Sequence, residues 1–239
     1  MKRICVAAAV VMLCQAQPPA FEAASVKLDR SGREQRWHRE PGRLAVENLT
    51  LGDLVRYAYD VHSNQISGGP AWFDTDRWDI VATAGREISE SERRRMLQTL
   101  LAERFQLTIR REMKDLPVYA LVVAKGGPKL KANTDGIERD EMDVSAAGFS
   151  QLFCQDVPMS RIAMILFNPT GRIVIDRTGI EGNFDFKLEW MPDSARAAGN
   201  PDGASIFTAV QEQLGLKLES TKAPVEILVI ERAERATEN

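Results

Sequence analysis

Hydrophobic positions along the chain recur with two periods. Apolar residues that return every three to four positions predict helices, and apolar residues that alternate predict strands. The first helical stretch follows Thr50, a candidate N-cap with Asp53 three residues on, and sets Leu51, Leu54, Val55, Ala58 and Tyr59 on one face. The second opens on Ser89 and Glu92, a capping-box pair, and carries Met96, Leu97, Leu100, Leu101 and Phe105 in one stripe. The third begins near Pro158, a residue suited to a first helical turn, and shows Met159, Ile162, Ala163, Ile165 and Leu166. The fourth starts at Ser205, uses Ile206, Phe207, Val210 and Leu214, and stops at Gly215.

Strand signals fill the gaps. "FQLTIR" alternates Phe105, Leu107 and Ile109, and "LPVYALVVA" is a β-rich run in which Pro117 marks a first residue or an edge. "LGLKLES" and "APVEILVIE" repeat that pairing, with Pro224 standing 107 residues after Pro117. "RWDIVA" around Trp78 to Ile80 matches "NFDFKL" around Phe184 to Phe186 at a spacing of 106, and Thr50 corresponds to Pro158 at a spacing of 108. Landmarks that agree so closely imply two copies of one unit, each a strand, helix, two strands, helix and two strands.

The expected fold class is therefore α+β with two pseudo-repeats, each a small, mainly antiparallel sheet with two helices packed on one face. The expected boundaries are a signal peptide over 1–16, an N-terminal strand and polar segment over 17–41, and a first repeat over 42–125. A linker over 126–146 leads to a second repeat over 147–232, with a disordered insertion at about 191–203 and a tail over 233–239. Their polar composition makes residues 29–42, the linker, the insertion and the tail the stretches expected to be least ordered.

Charge and composition narrow the function classes. With 239 residues, 44% of them hydrophobic and a net charge of −3 of mixed sign, the chain builds its own core and presents no polybasic field for nucleic acid. The start, "MKRICVAAAVVMLCQAQPP", sets Lys2 and Arg3 before a short apolar run and then small residues, the pattern of an export signal with cleavage expected at Ala16. That run is about half the ~20 residues of a spanning helix, so no transmembrane segment is expected after signal removal, and the localisation is periplasmic or extracellular. The alternative is a lipoprotein acylated at Cys14, against which Leu13 stands where a small residue is wanted. Only Cys154 remains beyond the signal, and it reads as a buried small hydrophobe.

Candidate chemistry centres on two loops. In "IVIDRTGIEGNFDFKLEW", Asp176 and Arg177 resemble the aspartate-bearing loop of phosphoryl-transferring ATPases. That chemistry needs Mg²⁺, further carboxylates and a cation on the phosphoryl group, and the chain lacks the accompanying acidic motif. The stretch reads instead as a strand, a turn with Gly179 at positive φ, and a returning strand, with Asp176 capping the turn. In "ISGGPAWFDTDRWD", Trp72, Asp74 and Trp78 could line a ligand cleft, and Asp74 with Asp76 could hold Ca²⁺, but too few oxygen ligands stand at the required spacing. With His38 and His62 the only histidines and no Cys pair, zinc and hydrolase triads have no motif. The run "SERRRM" reads as a solvated helix face whose Arg93, Arg94 and Arg95 could dock an acidic partner. No cofactor, metal or catalytic residue is expected.

The strings "FEAASVKLDRSG", "LGDLVRYAYDVHSNQISGGPAWFDTDRWDIVA", "MLQTLLAERFQLTIRREMKDLPVYALVVAKGGPKL", "VIDRTGIEGNFDFKLEW" and "SIFTAVQEQLGLKLESTKAPVEILVIERAERATEN" resemble the Solibacter uncharacterised family of acidobacterial secreted proteins, domain of unknown function 3738. The resemblance implies no reaction. Some relatives carry the module after a membrane metallopeptidase of the antibiotic-sensor type, which implies extracytoplasmic sensing or binding. A fold likeness also links "LTLGDLVRYAY" to short periplasmic domains at the entrance of secretins and TonB-linked receptors, which bind proteins by sheet edges. The leading expectation is a non-enzymatic binding module that receives an envelope protein or peptide at a sheet edge. Its rivals are an extracytoplasmic enzyme with a site around Asp176 and Arg177, and an envelope-structural protein.

Overall fold

A computed structural model describes residues 18–133, 139–144, 149–197 and 203–237. The expected signal peptide lies outside these residues, as do parts of the expected linker and insertion. In chain order the elements are β1 (Ala23–Asp29), β2 (Arg36–Glu40), β3 (Arg43–Thr50), α1 (Leu51–Tyr59), β4 (Ile66–Gly68), β5 (Arg77–Thr83), α2 (Glu90–Arg104) and β6 (Thr108–Val123). There follow β7 (Lys131–Asn133), β8 (Arg139–Val144), β9 (Ser150–Pro158), α3 (Met159–Ile165), α4 (Phe167–Thr170), β10 (Val174–Asp176), β11 (Asn183–Trp190), α5 (Asp193–Ala197), α6 (Ile206–Leu214) and β12 (Leu216–Arg232). The protein is mixed α+β with antiparallel sheets and few helices. It divides into two compact units, one of Met1–Arg111 with Leu228–Asn239 and one of Glu112–Ile227.

In the first unit, an antiparallel sheet runs in the order β1-β5-β3-β2. β1 covers β5 along its whole length, from Ala23 opposite Thr83 to Asp29 opposite Arg77. Inward residues Val26, Leu44, Val46, Leu49, Trp78 and Ile80 meet Leu51, Leu54, Val55 and Ala58 of α1 and Leu97 and Leu101 of α2. Each such large apolar side chain contributes roughly 1.5–3 kcal/mol on burial. Thr50 and Asp53 cap α1 reciprocally, as the sequence predicts. Just before this cap, the β3–β5 register shifts between Val46 and Leu49, and Asn48 takes φ 57°. Its N–H donates to the Asp79 carboxylate at 2.9 Å, so the extra residue of the bulge does not leave an orphaned amide. The chain's end belongs here as well: Leu228–Ile230 of β12 pair in parallel with β4, and the Glu234 N–H donates to the Phe105 carbonyl at 2.7 Å.

In the second unit, an antiparallel sheet runs β7-β11-β9-β8. Leu152, Cys154, Val157, Leu188 and Trp190 pack with Ile162 of α3 and with Ile206, Val210 and Leu214 of α6. β10 pairs in parallel with Tyr119–Leu121 of β6. The β9–β11 register shifts between Phe184 and Phe186, and Asp156 takes φ 52° with its N–H donating to the Asp185 carboxylate at 3.0 Å. The segment after β6 folds onto the end of α6, where the Ala124 and Lys129 N–H groups donate to the Gly215 and Leu214 carbonyls at 3.0 and 2.8 Å.

Several expectations give way. The strand pairs read as broken at Pro117 and Pro224 are single strands, β6 of 16 residues and β12 of 17. Proline lacks only an N–H, and a strand tolerates it where that group is not needed in the ladder. β2 lies within residues 29–42, β7 and β8 lie within the stretch read as linker, and α5 within the stretch read as insertion. Polar strands of this kind are held by backbone pairing with a neighbour, which local composition does not report. In the described part of the tail, Ala236 is buried. Ser89 accepts from the Glu92 N–H, but the Glu92 carboxylate pairs with Arg86 and does not close the box. Arg93, read as solvated, is buried, donating to Glu90 at 2.7 Å and to the Glu40 carbonyl at 2.9 Å.

Two tests follow. Burial acts to raise the Asp53 carboxyl, but hydrogen bonds from Thr50 and the Arg56 guanidinium outweigh it and hold it below the ordinary value of 3.8. A lowered carboxyl stabilises the fold above that value and ceases to do so as pH falls through the native one. Asp53→Asn is therefore expected to cost about 1 kcal/mol at pH 7 and progressively less below about pH 4, read by urea melts across pH. At φ +65°, a Cβ on Gly215 would sit 2.0 Å from the Gly127 carbonyl oxygen, whereas one on Gly171, at φ +64°, meets nothing within 4 Å. Gly171→Ala is expected to lose only the left-handed strain of about 1–2 kcal/mol, and Gly215→Ala clearly more, compared by thermal denaturation.

Candidate functional site

The residues singled out in the sequence fall in both units. In the first, the loop between β4 and β5 brings Trp72 and Trp78 to an edge-on contact with ring centroids 6.4 Å apart. Trp78 is fully buried and meets Phe105 edge-on at 4.9 Å, so it is a core residue and lines no open cleft. Trp72 is half-buried, and its face is taken by the chain's own tail: the Arg235 guanidinium lies 5.4 Å from the ring centroid and donates to Asp76 at 2.7 Å. Asp74 is exposed and faces Arg56 at 3.7 Å. Each of the two acids thus has its own arginine.

In the second unit, Asp176 ends β10 and is exposed, and its Oδ1 accepts from the Thr178 N–H at 2.9 Å and hydroxyl at 2.7 Å. The Ile180 N–H donates to the Thr178 hydroxyl at 3.2 Å, and Gly179 takes φ 67°. The Arg177 N–H donates to the Leu121 carbonyl at 2.9 Å. This is turn chemistry: the exposed carboxylate is engaged by its own loop. Cys154 is buried, as expected of a small hydrophobe.

Arg94 of the arginine run belongs to an aromatic cluster. Arg94 lies 5.4 Å and Arg39 5.9 Å from the centroid of Tyr57, whose ring tilts against Trp37 at 4.7 Å. The Tyr57 hydroxyl is buried without a hydrogen-bond partner, and burial followed by the nearby Glu90 carboxylate pushes its pKa up to about 12. Neutral at any ordinary pH, it acts in packing.

The feature best suited to recognition is the outer edge of β11. β9 covers one side of this strand over its full length, while β7 covers the other only at Asn183–Asp185. Farther along, the exposed Gln213 of α6 takes the place of a neighbouring strand. Its side-chain oxygen accepts from the Glu189 N–H at 3.0 Å and its amide donates to the Glu189 carbonyl at 2.7 Å. At the strand's end, the Met191 N–H donates to the Ala204 carbonyl at 2.9 Å. Between the β7 pairing at Asn183–Asp185 and the Gln213 anchor at Glu189 lies Lys187, whose backbone points the same way as that of Glu189 because strand residues alternate. Beside it, Phe153 is 41% exposed and receives the Lys187 ammonium 5.2 Å from its ring centroid. In the sequence Gln213 is one polar residue on a helix face, and nothing local marks it as a strand's partner.

A cavity of about 250 Å³ lies at the end of this strand, lined by Ser150, Asn168, Trp190, Met191 and Ile206 among others. It is smaller than typical small-molecule sites of roughly 300–1,000 Å³. Among the described residues, no three His, Cys, Asp or Glu side chains gather as metal ligands, and no helix is long and apolar enough to cross a membrane. No curated protein and no solved structure matches the chain. Residues 52–233, most of both units, match the model described as a protein of unknown function, DUF3738, and the chain belongs to that family.

Proposed function

We propose that the protein is an exported, non-enzymatic binding module that takes an extended segment of a partner polypeptide onto the outer edge of β11. The observation that carries this reading is the Gln213 amide, which engages both backbone groups of Glu189 as an adjacent strand would. A side chain on an exposed helix position yields to a true strand at little cost, since each of its hydrogen bonds contributes only about 1 kcal/mol net. An incoming strand gains main-chain bonds at Lys187 and Glu189, and side-chain contact beside Phe153.

The reading includes an ancestral duplication, in which both units descend from one block. It is supported by the matching orders β1-β5-β3-β2 and β7-β11-β9-β8, and by bulges at Asn48 and Asp156 held by the strand carboxylates Asp79 and Asp185. By that correspondence, the open stretch of β11 is the place that β1 covers on β5. Export is supported by the N-terminal pattern ending at Ala16, and membership in the acidobacterial Solibacter branch by "FEAASVKLDRSG", which precedes the residues matched to the family.

Peptide display against the processed chain tests the binding site. Selected peptides are expected to protect the Lys187 and Glu189 amides from hydrogen exchange, and Lys187→Pro, which removes an outward N–H, is expected to weaken them at least about tenfold without loss of fold. Protection confined to other strands, or unchanged binding by a folded Lys187→Pro protein, overturns the site. Expressed with its leader, the chain is expected outside the cytoplasm with Gln17 as its first residue, read by N-terminal sequencing.

A further inference from the structure

The bulges of the two units share a backbone and differ in charge. In the first unit, Asp79 Oδ1 accepts from the Asn48 N–H at 2.9 Å, and Asp79 Oδ2 accepts from the Arg33 guanidinium at 2.8 Å. Asn48, neutral, donates its side-chain amide to the Arg33 carbonyl. The chain thus supplies its own cation beside that carboxylate.

In the second unit, the bulge residue is a carboxylate. Asp156 is 4% exposed, and its Oδ1 is buried with no hydrogen-bond partner. Asp185 uses one oxygen, Oδ1, for both the Asp156 N–H at 3.0 Å and the Asn133 amide at 2.7 Å, and among the described residues Oδ2 makes no hydrogen bond or ion pair. Those two bonds, with the Lys131 charge on the neighbouring strand a smaller contributor, hold the Asp185 carboxyl below the usual range. Two carboxylates, each with an oxygen left over, therefore stand beside one lysine, Lys131, where the first unit has one carboxylate and a guanidinium, and no hydrogen bond or ion pair joins Lys131 to Asp156 among the described residues. A buried, unpartnered carboxylate oxygen is costly and calls for a cation.

We propose that Asp156 and Asp185 together bind a hard divalent cation, Ca²⁺ or Mg²⁺, in the position that the Arg33 guanidinium occupies in the first unit. Oxygen-only ligation selects such ions over zinc. Two carboxylates completed by water make a weak site, with a dissociation constant on the order of 10⁻⁴ to 10⁻³ M, suited to an extracytoplasmic module. This inference is independent of the peptide edge.

The test is calcium or magnesium chloride added up to about 10 mM, roughly tenfold above the weakest of those dissociation constants, to the chelator-treated processed chain at constant ionic strength. The melting temperature is expected to rise with either salt and not with sodium chloride, and the amides of Asp156 and Asp185 are expected to shift in ¹⁵N spectra. Asp156→Asn reproduces the residue of the first unit and keeps a side chain that accepts positive φ. It is expected to melt above the wild type in chelator and to lose the response to the ion. A wild-type melting temperature unmoved by both salts, an equal response in Asp156→Asn, or amide shifts confined elsewhere overturns the proposal; the spectra decide it even if the variant does not fold.

Discussion

A backbone amide pushed out of register and caught by a carboxylate is the constraint on which each unit depends. In β3 and β9 one residue too many stands against the partner strand, and Asn48 and Asp156 absorb it in the left-handed region of backbone space. The amide of each is held by an aspartate on the neighbouring strand, Asp79 or Asp185. Two residues later the chain leaves the sheet at Thr50 or Pro158 and enters a helix. The bulge twists the strand's end and so sets where the helix departs, which in turn decides which faces of α1 and α3 reach their cores. Without the carboxylate, the extra residue would leave a buried amide unpaired.

On this shared frame the units diverge in what they leave available. The first covers β5 on both sides and neutralises its bulge aspartate with Arg33, and the tail closes over Trp72 through Arg235. The second leaves part of β11 to a helix glutamine and puts a second carboxylate at its bulge. At these two places the first unit uses a strand and a guanidinium, where the second uses a helix glutamine and a second carboxylate.

What could be read along the chain was the short-range part. Thr50 with Asp53, Ser205 and Gly215 mark helix ends through hydrogen bonds spanning a few residues, and the apolar stripes report which helix faces are buried because each repeats within one element, except that Phe207, read into the fourth stripe, is exposed one position round from Ile206. The turn at Asp176 was legible too, since its donors are two residues away.

Tertiary structure alone decided everything that joins distant residues. Asn48 and Asp79 are 31 positions apart, Asp156 and Asp185 29, and Glu189 and Gln213 24, and none of these pairs leaves a trace in local periodicity. Polar β2 and β8 are strands because a neighbour offers them a ladder, and Pro117 and Pro224 sit inside strands because those ladders do not need their missing N–H groups. Trp72 and Trp78 read alike in the sequence, and only packing made one a core residue and the other a platform for Arg235. The physical reason is the same throughout: caps and stripes are settled within a turn or two of chain, whereas an edge, a bulge or a stray carboxylate oxygen is defined by what the fold does or does not bring beside it.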